Sequence, residues 1–441
     1  GATPVGFVKG GSGLLTLNNT NSYTGVTKVN GGTLKFNQIA ALYNGTTASW
    51  TPANLTVNSG ATVVFNVGGT GEFNAGHVTT LLTNLSTVAD NGLKAGSSIG
   101  FDTGSAPGGF VIADVIKDST GAGGGAVGFT KMGGNTLTLS GANTYSGGTI
   151  VRGGTLQASG SGTFGTATNA LTINAGAAVD LNGTNQSVGA LNGGGTVIND
   201  LAGTSTLTIS NELAGGNFSG TIADGIGTVA VVKTGDGFQT LSGASTYTGT
   251  TTINAGTLKV GSSTFAGTGG ALGINSAVIL GTQGAATLDL ANFSTDIGSL
   301  SGGASIATRV LLGSAILTIG GDNTNPAPFA GVITGSGGVV KTGTGTQVFS
   351  NISNYSGGTI VDGGRLQINV GSGSGSLAGN GPITVNTGAT LASGAVDGLG
   401  FNNFDTNNGL TINEGGTLVV LEGGRLSMDR SFVSIGGTIT S

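Results

Sequence analysis

The sequence is poor in the residues that carry most protein chemistry. It has no cysteine, a single histidine and only 7% charged residues. The lack of cysteine excludes disulfides and thiolate metal sites, and one histidine excludes the usual transition-metal centres. The formal net charge of −5 leaves no basic surface for nucleic acid or for an anionic membrane. We therefore expect no cofactor and no nucleic-acid partner.

Long apolar runs are also missing. No stretch approaches the roughly 18 to 20 apolar residues that span a bilayer. The first residues, GATPVGFVKG, contain no basic segment followed by an apolar one. We therefore expect a soluble chain that does not insert into a membrane and from which any export signal has been removed.

Glycine and branched residues dominate what is present. Glycine accounts for 91 of the 441 residues, and 37% of the residues are hydrophobic. A disordered chain combines low hydrophobicity with high net charge, and this sequence has the opposite combination. Val, Ile, Leu and Thr occur along the whole chain, so there is enough apolar surface to bury in a core.

One sequence block occurs four times. Its second copy contains LSGANTYSGGTIVRGGTL, residues 139–156. In every copy a lysine stands 14 residues before a tyrosine, and the pairs are Lys9 and Tyr23, Lys131 and Tyr145, Lys233 and Tyr247, and Lys341 and Tyr355. We predict one continuous solenoid over residues 1–441, with internal repeats beginning at about 9, 131, 233 and 341. The last repeat is incomplete and in phase with residues 1–8.

Alternating short segments separate these blocks. LTVNSGATVVFN from Leu55 and LTINAGAAVDLN from Leu171 each read as strand, Asn-x-Gly turn and strand. Residues 155–157 and 178–180 carry the same pattern 23 residues apart, which is about one coil of a β-solenoid. The sequence therefore predicts an all-β fold of roughly 20 stacked coils, a rod on the order of 100 Å long, with little or no helix.

The repeated motifs resemble a known family. FSGTIADGIGTVAVVKTGDGFQTLSGASTYTGTTTINAGTLKV, residues 218–260, and FAGVITGSGGVVKTGTGTQVFSNISNYSGGTIVDGGRLQI, residues 329–368, resemble the autotransporter-associated β-strand repeat of bacterial passenger regions. The resemblance implies a right-handed parallel β-helix on, or released from, a bacterial surface. A full autotransporter would be expected to end in a membrane-embedded barrel of several hundred residues, whereas this sequence ends with GGTITS at Ser441. It is therefore expected to be a passenger fragment or a stand-alone repeat protein.

Parallel β-helices also host carbohydrate-active enzymes, which need clustered carboxylates or a base beside a cation. Asp114 and Asp118 are close in sequence, as are Asp397 and Asp405, but neither pair has a neighbouring His or Arg. His77 has no partner acid beside it, and the glycine runs lack the ending of a phosphate loop. We therefore predict no catalytic, cofactor-binding or metal-binding residues and no enzyme activity.

The repeated Lys and Tyr admit two interpretations. They could form a periodic platform for a ligand such as a saccharide. Alternatively, each Tyr ring caps a corner between coils, with its hydroxyl reaching the backbone and a Lys stem across it. We favour the structural interpretation.

The phase of the repeat suggests a contact between chains. The last residues of the sequence stop at the position of the repeat where the first residues start, so a second copy would continue the repeat nearly in phase. We find no polar capping segment at either end. A head-to-tail filament is therefore a hypothesis, since such a heterologous contact does not close. Its interface would contain Val5, Phe7, Val8, Phe432, Val433, Ile435 and Ile439.

Three functions remain after these steps. The leading one is a structural protein, secreted or at the cell surface, that forms a fibre or matrix. The alternative is an autotransporter passenger acting as an adhesin or stalk. Such an adhesin would bind a host or glycan partner through residues 41–52, where Trp50 and Tyr43 are expected to be exposed. An enzyme acting on carbohydrate is the third.

Overall fold

A computed structural model describes residues 4–86, 91–212, 215–281, 285–303, 307–369, 381–394, 409–422 and 433–441. The chain forms two compact units. Unit 1 comprises residues 1–210 and 225–227, and unit 2 comprises residues 211–224 and 228–441.

The described residues of unit 1 form nineteen strands, one α-helix and three short 3-10 helices. The α-helix, α1, is Ala75–Leu85, and the 3-10 helices are Ile39–Ala41, Tyr43–Gly45 and Thr47–Ser49. The strands are β1 (Phe7–Lys9), β2 (Leu14–Leu17), β3 (Thr27–Val29), β4 (Gly32–Phe36), β5 (Leu55–Val57), β6 (Ala61–Asn66), β7 (Gly92–Leu93), β8 (Ser98–Asp102), β9 (Phe110–Ile112), β10 (Gly128–Met132), β11 (Thr136–Leu139), β12 (Thr149–Val151), β13 (Gly154–Ala158), β14 (Leu171–Ile173), β15 (Ala177–Asp180), β16 (Gln186–Val188), β17 (Leu191–Gly193), β18 (Thr196–Ile198) and β19 (Thr204–Ile209).

Unit 2 consists of strands in the part of it that the structure describes. They are β20 (Gly216–Phe218), β21 (Thr221–Ile222), β22 (Thr228–Lys233), β23 (Phe238–Leu241), β24 (Thr251–Ile253), β25 (Gly256–Val260), β26 (Val278–Leu280), β27 (Ala286–Asp289), β28 (Thr295–Ile297), β29 (Leu300–Gly302), β30 (Arg309–Gly313), β31 (Leu317–Ile319), β32 (Val332–Gly335), β33 (Val339–Lys341), β34 (Thr346–Phe349), β35 (Asn354–Tyr355), β36 (Thr359–Val361), β37 (Arg365–Ile368), β38 (Ile383–Val385), β39 (Thr390–Ser393), β40 (Leu410–Ile412), β41 (Thr417–Val420), β42 (Val433–Ile435) and β43 (Thr438–Thr440).

Each strand pairs in parallel with a strand about one coil further along the chain. In unit 1 the longest such row is β2-β4-β6-β8-β10-β12-β14-β17, beside β1-β3-β5-β7 and β9-β11-β13-β15-β18. In unit 2 the rows include β20-β23-β25-β27-β30-β32-β35 and β28-β31-β33-β36-β38-β40-β42. Thr155 pairs with Ala178 and Leu156 with Val179, as the 23-residue spacing predicts. The all-β parallel solenoid is therefore confirmed.

The core of each coil is built by alternation. Strands such as β12 and β14 bury their first and third residues, which are Thr149, Val151, Leu171 and Ile173, and turn the middle residue outward. Because the pairing is in register, like residues stack on like residues along the coils. In unit 1 Phe36 stacks on Phe65 with ring centroids 5.7 Å apart.

The structure has about 17 turns, fewer than the roughly 20 predicted. The difference arises because several connections leave the coil. Residues 37–54 join β4 to β5, and a second excursion, which contains α1, follows β6. These excursions use residues that the estimate of about 20 residues per coil assigned to strands.

Helix α1 is the one α-helix in the described residues, and no helix was predicted at this position. Asn74 begins it with a capping box, in which its Oδ1 accepts from the His77 backbone N–H at 3.0 Å. Val78, Leu81, Leu82 and Leu85 form its buried face. Among the described residues, no helix is both long and apolar enough to cross a membrane.

Candidate functional site

The four repeat lysines point inward at the coil corners. The Nζ of Lys131 donates to the carbonyl oxygens of Met132 at 2.8 Å, Gly133 at 2.7 Å and Gly153 at 2.9 Å. The other three lysines bond the carbonyls at the same sequence offsets, which belong to Gly10, Gly11 and Gly31, to Thr234, Gly235 and Ala255, and to Thr342, Gly343 and Gly363. Each ammonium thus joins one corner to the corresponding corner of the next coil.

Burial lowers the pKa of the repeat lysines in the second, third and fourth copies. Lys131 and Lys233 are fully buried, and burial lowers the pKa of each ammonium to about 8. The pKa of Lys341 is lowered for the same reason. The nearby Asp102 opposes the shift of the Lys131 pKa. Because the ammonium groups face protein carbonyls, they do not present charge to a ligand.

Three of the four repeat tyrosines are equally enclosed. The hydroxyls of Tyr145, Tyr247 and Tyr355 lie 2.6 to 2.7 Å from the Oγ1 of the threonine four residues on. Thr149 Oγ1 in turn donates to the Phe164 carbonyl at 2.9 Å, so Tyr145 is the donor in its pair. Burial raises the pKa of Tyr145 and of Tyr247. The tyrosine hydroxyl was expected to reach the backbone. Its direct partner is instead a threonine side chain.

Tyr23 is the exception among the four. It is half-buried, its hydroxyl lies 2.8 Å from Thr27 Oγ1, and burial raises its pKa to about 12. Its ring centroid lies 5.0 Å from that of Tyr43 at an interplanar angle of 59°. One repeat tyrosine therefore keeps part of its ring accessible.

The prediction that Trp50 and Tyr43 are exposed is wrong. Trp50 has no exposed surface, its Nε1 donates to the Leu42 carbonyl at 3.2 Å, and its ring packs 5.3 Å from that of Phe73. Tyr43 is 5% exposed, and its hydroxyl donates toward Thr27 Oγ1 at 2.9 Å. Both side chains find polar partners within the protein, which lets their large apolar surfaces be buried.

A cavity opens where the excursion meets the corner of the first repeat. We call it the Tyr23 pocket. It has a volume of about 330 Å³ and is lined by Ser22, Tyr23, Thr24, Tyr43, Asn44, Thr46 and Ser49. The excursion is shaped by consecutive left-handed residues, Tyr43 and Asn44, both with φ of 51°. Four residues of the segment 41–52, Tyr43, Asn44, Thr46 and Ser49, line this pocket, and Trp50 does not; binding through the segment stays a prediction.

The lining of the Tyr23 pocket is uncharged and polar. Within the described part of the chain, the side chains of Ser22, Thr24, Asn44, Thr46 and Ser49 make no hydrogen bond. The pocket therefore combines two aromatic rings with hydroxyl and amide groups that are available to a ligand. This chemistry fits binding and includes no acid, base or nucleophile with a partner.

The other polar residues considered from sequence serve the fold. The Nδ1 of His77 accepts from the Asn74 backbone N–H at 3.2 Å in the capping box of α1. Asp114 accepts from Thr79 Oγ1 at 2.7 Å, whereas Asp397 and Asp405 lie outside the described residues. No group of three His, Cys, Asp or Glu that could hold a metal ion occurs in the described ranges.

Two aspartates, Asp118 and Asp224, hold corners of the coil, a role that the sequence did not predict for them. Asp118 accepts from the backbone N–H groups of Val127 and Ser146, both at 2.8 Å. Asp224 accepts in the same way from Val229 at 2.7 Å and Thr248 at 3.0 Å. Ser146 and Thr248 each follow a repeat tyrosine directly, and this shared position is the signal that could have revealed the aspartates.

The residues of the hypothetical end-to-end interface are only partly described. Val5 and Val8 are exposed, as are Ile435 and Ile439, while Phe7 is half-buried. Val433 begins β42, and Phe432 lies outside the described residues. The head-to-tail contact stays a prediction.

Comparison with known proteins agrees with the repeat pattern. Residues 7–36, 129–158, 231–260 and 339–368 match the passenger-associated-transport-repeat family. Over 166 residues, 37% of this chain, the sequence is 39% identical to the adhesin BmaC autotransporter of Brucella suis biovar 1 (strain 1330). The matched part is 5% of that relative, and no solved structure matches the chain significantly. The four matches include every repeat lysine and tyrosine, so the chain carries four repeats similar to those of the passenger-associated-transport-repeat family.

Proposed function

We propose that this chain is part of an adhesive passenger region exposed on, or released from, a bacterial surface. The observation that carries the proposal is the 39% identity over 166 residues to an autotransporter adhesin, in a chain with four passenger-associated transport repeats. In this role the solenoid is a scaffold and its excursions make the contacts. The proposal replaces the purely structural fibre as the leading function.

The distribution of polar groups supports a scaffold with binding excursions. The repeat lysines bond backbone carbonyls, and three of the four tyrosines have no accessible ring. Polar side chains of Ser22, Thr24, Asn44, Thr46 and Ser49 instead line a pocket beside the excursion of residues 37–54 in unit 1. Loops on a rigid scaffold are where binding residues concentrate in proteins generally. The proposed role includes no catalytic step.

Adhesion can be tested with the purified chain. Fluorescent beads coated with the chain are incubated with cultured epithelial cells, and beads coated with an inert protein of similar charge serve as the control. We expect saturable attachment that soluble chain competes away. Attachment no greater than that of the control beads, on epithelial cells and on extracellular-matrix coatings alike, would refute the adhesive role.

A further inference from the structure

We propose that the Tyr23 pocket binds a neutral saccharide of one or two rings. The inference rests on the proposed adhesive function and deepens it by naming a site and a ligand class. It begins from a difference between the first repeat and the others. Connections from the following coil lie against the rings of Tyr145 and Tyr247, whereas Tyr23, at the equivalent position, lines a cavity beside Tyr43.

The other repeats show how this position is normally closed. In the second repeat the backbone runs directly against the tyrosine ring, because a Cβ on Gly165 would lie 2.8 Å from Tyr145 Cε2. Gly273 holds the same place in the third repeat, where a Cβ would lie 3.1 Å from the ring of Tyr247. Glycine therefore lets the connection seal the ring in both cases.

The first repeat replaces this glycine seal with a second ring. Tyr43 lies with its centroid 5.0 Å from that of Tyr23, and a cavity of about 330 Å³ remains beside the pair. This volume lies at the lower end of the range of about 300 to 1,000 Å³ for small-molecule sites. The size fits a small ligand and not a peptide segment.

The lining selects the chemical class of the ligand. A saccharide presents hydroxyls around its rim and C–H groups on its ring faces, which match polar side chains and aromatic rings respectively. Ser22, Thr24, Thr46 and Ser49 offer hydroxyls, and Asn44 offers an amide that both donates and accepts. Since no Lys, Arg, Asp or Glu lines the pocket, nothing there neutralises a charged ligand, which favours a neutral one.

Asn44 provides a substitution that leaves the backbone unstrained. Its φ of 51° and ψ of 34° lie in the left-handed region, which glycine adopts readily. Asn44→Gly therefore removes the amide and preserves the path of the excursion. Asn182→Gly is the matched control in unit 1, because Asn182 has a φ of 46° and does not line the pocket.

The test uses the full chain on a glycan array that carries host-type glycans and bacterial polysaccharides in separate sectors. Saturation-transfer NMR then measures binding of glucose, galactose, mannose, N-acetylglucosamine and lactose, with sialyllactose as the charged comparison. We expect at least one neutral sugar to bind. The double variant Asn44→Gly with Ser49→Ala should weaken its binding at least tenfold, and Asn182→Gly should change it less than twofold.

The outcomes separate this inference from the adhesive function. Failure of every neutral sugar to bind, binding of charged glycans alone, or binding that the double variant leaves unchanged would each overturn the saccharide site. Coated beads that attach to cells without any sugar binding would leave the adhesive function in place. Sugar binding without attachment of the beads would support the site and refute the function.

Discussion

Replacing Gly154 with alanine tests whether the corner of the repeat depends on close contact between coils. Gly154 has a φ of +62°, and it occupies the position of Gly32, Gly256 and Gly364 in the other repeats, whose φ values lie between 58° and 67°. A Cβ there would collide with the Gly133 carbonyl oxygen and would lie 2.6 Å from that of Asn135. Both atoms belong to the backbone of the preceding coil, so they cannot rotate away.

Gly160→Ala is a control that separates the two destabilising effects of Gly154→Ala, which are the left-handed backbone and the steric collision of the Cβ. Its φ is +59°, nearly the same as that of Gly154, but a Cβ there meets nothing within 4 Å. Gly160→Ala therefore measures the left-handed backbone alone, which costs an alanine about 1 to 2 kcal/mol. Gly154→Ala adds a steric term of about 1 to 3 kcal/mol, typical of an overpacked site. It also displaces the Gly133 carbonyl that Lys131 bonds.

Urea unfolding followed by circular dichroism measures the difference between the two variants. Because repeat proteins unfold by local units, hydrogen exchange of peptides from residues 127–160 should accompany it. We expect Gly154→Ala to be less stable than Gly160→Ala by about 1 to 3 kcal/mol and to exchange faster around Lys131. Equal stability of the two variants would refute the argument that coil contact requires this glycine.

Further predictions concern the buried polar groups. Lys131→Met should lower the free energy of unfolding by about 2 to 4 kcal/mol, since three enclosed carbonyls lose their donor, whereas the exposed Lys28→Met should have little effect in the same urea titration. The pKa of Lys131 is lowered to about 8 in the folded chain, so between pH 8 and 10 this side chain binds more protons when the chain is unfolded. The melting temperature should therefore rise from pH 8 to 10. It should rise less in Lys131→Met. Above pH 10 the raised pKa of Tyr145 and Tyr247 reverses the sign, because the unfolded chain then binds fewer protons, and a melting temperature that continues to rise would contradict this. Tyr145→Phe should cost about 1 kcal/mol, with thermal unfolding as the measurement, and no loss would show that its bond to Thr149 is energetically neutral.

Much of the fold could be predicted from the sequence because each coil of a solenoid contacts only the coils next to it along the chain. The spacing of residues 155–157 and 178–180 predicts the register in which Leu156 pairs with Val179. Alternation along each strand similarly predicts which residues face the core. The coil count was too high because the sequence pattern does not show which connections leave the coil, as residues 37–54 do.

The candidate site could be predicted only in part. Residues 41–52 were predicted as a binding loop because Trp50 and Tyr43 were expected to be exposed aromatic residues. Their burial depends on Phe73 and Thr27, which come from a later excursion and from the first coil corner. No local pattern encodes such contacts. The same holds for the Tyr23 pocket, whose walls come from separate segments.

By itself the sequence determined the repeat and the parallel stacking, because both follow from the periodic spacing of Gly, Thr and branched residues. Only the tertiary structure decided what the repeated Lys and Tyr do. The Lys131 ammonium bonds the carbonyl of Gly153, 22 residues further along the chain. The Tyr145 ring is closed off by the connection at Gly165, whereas Tyr23 is half-buried. The physical reason is that spacing defines which residues stack, whereas burial depends on the atoms that close over them from elsewhere in the chain.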